Sequence, residues 1–296
     1  GRCHAGRYSP AGVLYRADAN GDKIRQLSYN NENEYEPSVL NDGRIVFCRW
    51  EYTNRSEIYY HMLWTTRPDG TGVAAYYGAD TVSPFMISEA TAIPGTNKSV
   101  ATATAHHSFT TGTLLVVDPA KGENGEEPLT HLTPEIPYPE SQGRPRITYS
   151  HPYPITDKLF LVSRAEYPVS DFQGTVSPPN KRAIYLLDTF GGHERIYEDA
   201  NVASFSPIPV CKRKRPPVLP SMLPEAPKGK EATVFVQNVY LTRNDPEGLI
   251  KPGSIKAIRV NAIGVQPRAK RTALHPLVGV EIPKKVLGTV PVNADG

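Results

Sequence analysis

Apolar, aromatic and β-branched residues fall in short runs along this chain, each closed by a turn signal. The clearest group lies between residues 35 and 77. Asn41-Asp42-Gly43 opens a run from Arg44 to Trp50, a second covers Ile58 to Thr65, and Asp69-Gly70 leads into a third, Val73 to Tyr77. Asp-Gly between two such runs is a strong hairpin signal, because glycine accepts positive φ at no steric cost. Three or four antiparallel strands in about 40 residues are the size of one propeller blade.

The pattern recurs on both sides. Residues 12 to 28, turning at Asn20-Gly21, read as the two outer strands of a blade. From Met86 a further unit follows: Glu89 to Ile93, a turn at 94–97, the small-residue run Ser99 to Ala105, the continuous apolar run Gly112 to Asp118, and Leu129 to Thr133. Residues 119 to 128 are polar and acidic and read as an exposed loop. A third unit comprises Ile147 to Ser150, Leu159 to Arg164, Ala183 to Asp188 and Arg195 to Glu198, with a proline-bearing loop over 165–181. A period of about 45 to 55 residues is that of blades. The expectation is an all-β fold: a β-propeller with about three to four blades present, the first incomplete, as part of a larger propeller, with a C-terminal β extension.

The pattern breaks at residue 210. Lys212-Arg213-Lys214-Arg215 is followed by prolines 216, 217, 220, 224 and 227. That spacing excludes strand and helix and favours polyproline II. Residues 210–231 therefore read as a semi-rigid crossing segment between the blades at 1–209 and further strands at 232–296. The clearest of those strands are Ala232 to Leu241 and Ile255 to Val265; Leu277 to Val292 alternates more weakly.

Composition narrows the function classes. Proline (29) exceeds glycine (23) and tyrosine is abundant (16), which suits short strands with rigid connections. A net charge of +3 without a clustered stripe is not a nucleic-acid footprint. No run of 18 apolar residues predicts a membrane span. The three cysteines are odd in number and make no disulfide framework. There is no Cys-x-x-Cys-His to attach a c-type haem, no Gly-x-Ser-x-Gly for a propeller-capped serine peptidase, and no phosphate-binding glycine loop. Starting at Gly-Arg-Cys-His and ending in what reads as an unfinished hairpin, the chain reads as a processed or partial one.

The repeat Glu36-Pro37-Ser38, Asn41 to Phe47, Leu63-Trp64 and Pro68-Asp69-Gly70 resembles TolB-like propeller repeats. Longer stretches are more specific: Asp42 to Tyr52, Ala92 to Lys98, Ala105-His106-His107 leading to Val117-Asp118-Pro119, Ile184 to Gly191, and Pro207-Ile208-Pro209 before the basic proline run. Together they resemble the middle domain of the hydrazine synthase alpha-subunit family, found in planctomycetes and their relatives. The resemblance covers nearly the whole chain. It implies a β-propeller whose haem-bearing domains or subunits lie outside it as partners in the same complex, in an extracytoplasmic compartment. It implies haem c and zinc in the parent protein, with no cofactor in this chain.

Candidate chemistry is sparse. Cys3-His4 offers a thiolate and an imidazole to a metal, and the resembled family is similar in placing zinc beside a catalytic haem. Neighbouring residues of an extended chain point apart, so the plainer reading is a terminal segment. His106-His107 follows a strand that, if innermost in its blade, opens on the central channel as a ligand site; His151 is expected to hold the corresponding place in the next unit. The plainer reading is imidazoles bonded to loop backbone. His61 reads as a packing residue and Cys48 as a buried small hydrophobe. Cys211 adjoins the basic run, which lowers a thiol pKa and attracts acidic partners, though such runs are more often solvated. Asp118, Glu123, Glu126 and Glu127 lack the spacing of a calcium loop. The favoured expectation is a non-catalytic scaffold or binding region of a larger haem-associated redox protein. The alternatives are part of a multihaem oxidoreductase active site of hydrazine-synthase type, and a TolB-like protein- or peptide-binding propeller.

Overall fold

The computed structural model describes residues 11–30, 32–51, 58–108, 110–166, 182–223, 236, 238–240, 245, 247–263 and 284–293. The chain forms two compact units, Gly1–Met222 and Leu223–Gly296. The first is built of antiparallel meanders. β1 (Tyr15–Arg16) and β2 (Arg25–Gln26) pair as a hairpin. Three meanders of four strands follow. The first blade is β3 (Glu34–Val39), β4 (Ile45–Trp50), β5 (His61–Thr66) and β6 (Ala74–Tyr77). The second is β7 (Met86–Ala92), β8 (Ser99–Thr104), β9 (Gly112–Val117) and β10 (Leu129–His131). The third is β11 (Ile147–Pro154), β12 (Leu159–Glu166), β13 (Arg182–Asp188) and β14 (His193–Tyr197). Single bridges, His61 to Met86 and Tyr149 to Gly112, join the blades into one path of strands. The fold is all-β, as its alternating runs predict; among the described residues the helical content is one 3-10 turn, Pro119–Lys121.

The core lies between blades, and strand periodicity puts it there. Successive side chains of a strand point to opposite faces. In β9, Leu115 and Val117 enter the cluster shared with the first blade, beside Met62, Leu63 and Tyr77. Leu114 and Val116 enter the cluster shared with the third blade, beside Tyr149, Phe160 and Val162. A strand buried on both faces reads as a continuous apolar run, which is why Leu114 to Val117 does not alternate. A third cluster sets Leu14 and Leu27 of the hairpin against Phe47. β8 carries small residues where backbones come close: a Cβ added at Gly112 would stand 1.9 Å from the Ala103 carbonyl oxygen.

The segment after β14 returns across the blades without forming a strand. Arg213 stacks over the Tyr153 ring at 4.0 Å and donates to the Pro154 carbonyl at 2.9 Å. Arg67 donates to the Pro220 carbonyl at 2.7 Å, and Asp69 accepts from the Met222 N–H at 2.6 Å and the Ser221 hydroxyl at 3.2 Å. This strap binds the third blade to the Asn41–Gly43 and Arg67–Gly70 turns of the first. The described part of the segment expected over 210–231 is thus largely exposed and held at these contacts; residues 224–231 lie outside the described ones.

The second unit contains the hairpin of β15 (Ala257–Ile263) and β16 (Lys284–Pro291). Of the strand expected over Ala232 to Leu241, the described residues 236 and 238–240 are irregular or turn. There the Asn238 side chain accepts from the Tyr240 N–H at 2.9 Å, a local turn bond that competes with a ladder. The remainder of that stretch lies outside the described residues.

Candidate functional site

The innermost strands β3, β7 and β11 pack side by side, and each is bulged at the same place. At each bulge sits a non-glycine residue with positive φ: Glu36 (53°), Glu89 (56°) and His151 (51°). Ser206 of the returning segment repeats it at 51°. Proline follows Glu36, His151 and Ser206, and its missing N–H interrupts a ladder where a bulge forms. The four tripeptides 36–38, 89–91, 151–153 and 206–208 line one open cleft of about 380 Å³.

The second and third bulges lean on the carboxylate of the blade before them. Glu36 accepts from the Glu89 N–H at 2.9 Å and from the Ser88 hydroxyl. Glu89 Oε2 accepts from the His151 N–H and from the Thr102 hydroxyl, each at 2.6 Å. Glu89 Oε1 is buried with no hydrogen-bond partner among the described residues. His151 Nε2 stands 3.1 Å from it, outside hydrogen-bond alignment. Burial first, and then the Glu36 charge, push the Glu89 carboxyl up to about 8. Burial first, and then Arg182, bring His151 down to about 4. At neutral pH both partners are therefore uncharged, and the contact is not an ion pair.

A second cluster lies at the β4–β5 end of the first blade. Trp50 closes β4 and stacks on His61, the first residue of β5, with centroids 4.6 Å apart. His61 Nε2 meets His106 Nδ1 at 2.9 Å, and Tyr35 Oη approaches His61 Nδ1 at 3.4 Å. His107 Nδ1 lies 2.5 Å from Glu140 Oε1, while Glu140 Oε2 accepts from the His106 and His107 N–H groups at 2.9 and 3.1 Å. Burial alone would raise the Glu140 carboxyl; the His107 side-chain and backbone bonds and the histidine charges outweigh it and hold it below the usual range.

The expected site residues thus separate. His151 lines the cleft. His106 and His107 do not, because β8 is the second strand of its blade and β7 the innermost; the expected correspondence with His151 is corrected accordingly. His61 is a buried packing residue, stacked on Trp50, but it opens β5 rather than sitting mid-strand, and it belongs to the histidine cluster. Cys3 and His4 lie outside the described residues. Burial pushes the Cys48 thiol well up, and Cys211 is exposed. Asp118 caps the 3-10 turn and pairs with Lys98 at 3.1 Å. Glu36, Glu89, Glu140 and Ser206 escaped the sequence reading. Aligning the bulges Glu36-Pro37, His151-Pro152 and Ser206-Pro207 would have found the cleft, since the proline recurs at an equivalent point of successive units.

No protein-family model matches the chain, and no curated protein matches it by sequence. Among solved structures, Kuenenia stuttgartiensis hydrazine synthase superposes with a TM-score of 0.66 and 19% identity, over 96% of this chain and 40% of that one. The chain has the fold of part of hydrazine synthase. At that identity the likeness to hydrazine synthase is one of fold, and this chain spans 40% of its length. The sequence has no Cys-x-x-Cys-His. Among the described residues no three His, Cys, Asp or Glu side chains are grouped to hold a metal, and no helix is long and apolar enough to cross a membrane.

Proposed function

We propose that this chain is a non-catalytic β-propeller scaffold or binding region of a larger, haem-associated redox protein of the hydrazine-synthase-alpha type, working outside the cytoplasm. The observation that carries the reading is the superposition of 96% of the chain on 40% of hydrazine synthase. Blades packed through three apolar clusters and bound by a strap give a rigid body suited to presenting other domains. The lack of a haem-attachment pair supports leaving the redox groups to other polypeptide. The test is an ultraviolet–visible spectrum of the intact parent protein, followed by peptide mapping of covalent haem. The expected result is a Soret band with haem peptides lying outside residues 1–296. A haem-free parent, or haem attached to Cys3, Cys48 or Cys211, overturns the reading.

A further inference from the structure

The strap has features that clasping the blades does not require. From Arg213 onward every third residue turns inward. Arg213 lies on the Tyr153 ring, and Pro216 and Leu219 are half-buried, while Pro217, Val218 and Pro220 are exposed. Three residues per turn is the period of polyproline II. The strap is held by that inner edge and by main-chain groups, the Pro220 carbonyl and the Met222 N–H. Two outer edges remain. One carries Lys212, Arg215 and Val218, and the other Lys214, Pro217 and Pro220.

The charge and shape of those edges select a partner. Residues 210–222 contain no Asp or Glu. Lys212, Lys214 and Arg215 are exposed, and among the described residues their side chains form no ion pair or hydrogen bond. Of the carboxylates on the turns beneath, Asp42 pairs with Arg44, and Asp69 holds Ser221 and Met222. Val218 stands 90% exposed, and Val210, two residues before the basic run, is wholly exposed. An acidic polymer would pair the cations and leave both valines in water. A folded acidic protein would need a pocket shaped for each. A fluid anionic interface takes both kinds of group at once: phosphates meet the cations, and methyl groups enter the acyl boundary without a matching pocket. We propose that the outer face of the strap docks on an anionic lipid bilayer, with Lys212, Lys214 and Arg215 on headgroup phosphates and Val210 and Val218 at the acyl boundary.

Extension and rigidity make this surface effective. At about 3.1 Å per residue, the stretch from Lys212 to Val218 covers about 19 Å, enough to reach several headgroups. The blades already hold it extended, so docking costs little further chain entropy. Each Lys or Arg at an anionic leaflet strengthens partition about fivefold, and the three free cations together about a hundredfold. Arg213 is engaged by Tyr153 and the Pro154 carbonyl and adds little. The attraction acts within a Debye length, about 8 Å at physiological salt, so it weakens as salt is added. The inference does not depend on the haem content of the parent protein, so the two can fail separately.

The test is co-sedimentation of the full 296-residue chain with unilamellar vesicles. Vesicles of equal parts phosphatidylglycerol and phosphatidylcholine are expected to bind it at least tenfold more strongly than phosphatidylcholine alone, and the difference should shrink as salt rises from about 0.1 M to about 0.5 M. The triple variant Lys212→Ser, Lys214→Ser, Arg215→Ser should lose about a hundredfold in partition to the anionic vesicles. The double variant Val210→Asn, Val218→Asn keeps every charge and should still lose several-fold. All five positions are exposed and leave the Arg213, Pro220 and Met222 contacts in place, so the β spectrum should not change. Equal binding to both kinds of vesicle, or no binding by protein with an intact β spectrum, overturns the proposal. So does undiminished binding by the triple variant, which would place the membrane contact elsewhere. Undiminished binding by the valine variant also overturns it and assigns the strap to an acidic polymer or protein instead.

Discussion

Glu89 is the residue at which burial and charge meet most sharply. Its folded value, about 8, lies above that of a solvated glutamate. From about pH 4.5 the folded chain thus keeps a proton that the unfolded chain gives up, and stability falls as pH rises to about 8. His151 works in the opposite sense: its value, about 4, lies below that of a free imidazole, so its contribution to stability grows from pH 4 to about 6.5. The two offset each other up to about pH 6.5, and above that Glu89 acts alone. We predict that urea unfolding shows stability declining by roughly 2 kcal/mol between pH 6.5 and 8, and that Glu89→Gln flattens this window. An unchanged slope in the variant would rule Glu89 out as its source. None of this could be read from residues 86 to 92 in isolation. The perturbing groups are Glu36, 53 residues before Glu89, and His151, 62 residues after it, and blade 2 has Ala90 where its neighbours have the telltale proline.

At the scale of elements, strands were legible and the strap was not. β4 and β13 follow from β-prone runs beside the Asp42-Gly43 and Gly191-Gly192 turns, and β9 from a continuous apolar run, because a pleated strand imposes its period on whatever it buries. The strap has no such period; polyproline II carries no internal hydrogen bonds, so its partners are distant turns that leave no mark on its own pattern. Those partners make a specific demand at Gly43. It has φ of +87°, and a Cβ there would stand 2.4 Å from the Pro217 carbonyl oxygen. Asp69 is the other anchor. Burial alone would raise its carboxyl, but bonds from Thr71, the Met222 N–H and Ser221 hold it well below the usual range. Stability from that anchor is present above about pH 4 and is lost as the carboxylate is protonated. Asp69→Ala is predicted to cost about 1–3 kcal/mol, with tryptic cleavage within 212–215 several-fold faster than in the parent chain. Cleavage at the parent rate would show that Asp69 does not hold the strap.

For the molecule as a whole, the second blade is the keystone, since its strands β8 and β9 are buried on both faces while β14 is exposed along its length. Native-state hydrogen exchange should therefore be slowest in β8 and β9 and fast in β14 and the β1–β2 hairpin. Uniform protection across the three blades would contradict this ordering. The same contrast explains which parts of the candidate site the sequence revealed. Histidines are visible as letters, so His106, His107 and His151 could be named; that β7 rather than β8 is innermost depends on how blades pack, which hairpin signals do not encode.

The strap also sets a schedule for biosynthesis. Asp69 waits for Met222, 153 residues downstream, before its anchoring bond can form. At ribosomal speeds of about 5–20 residues per second, that delay is on the order of ten seconds. Through that interval the nascent first blade has its hairpins but not its clasp. Its turn face is then open to chaperones until the strap's prolines emerge and close it.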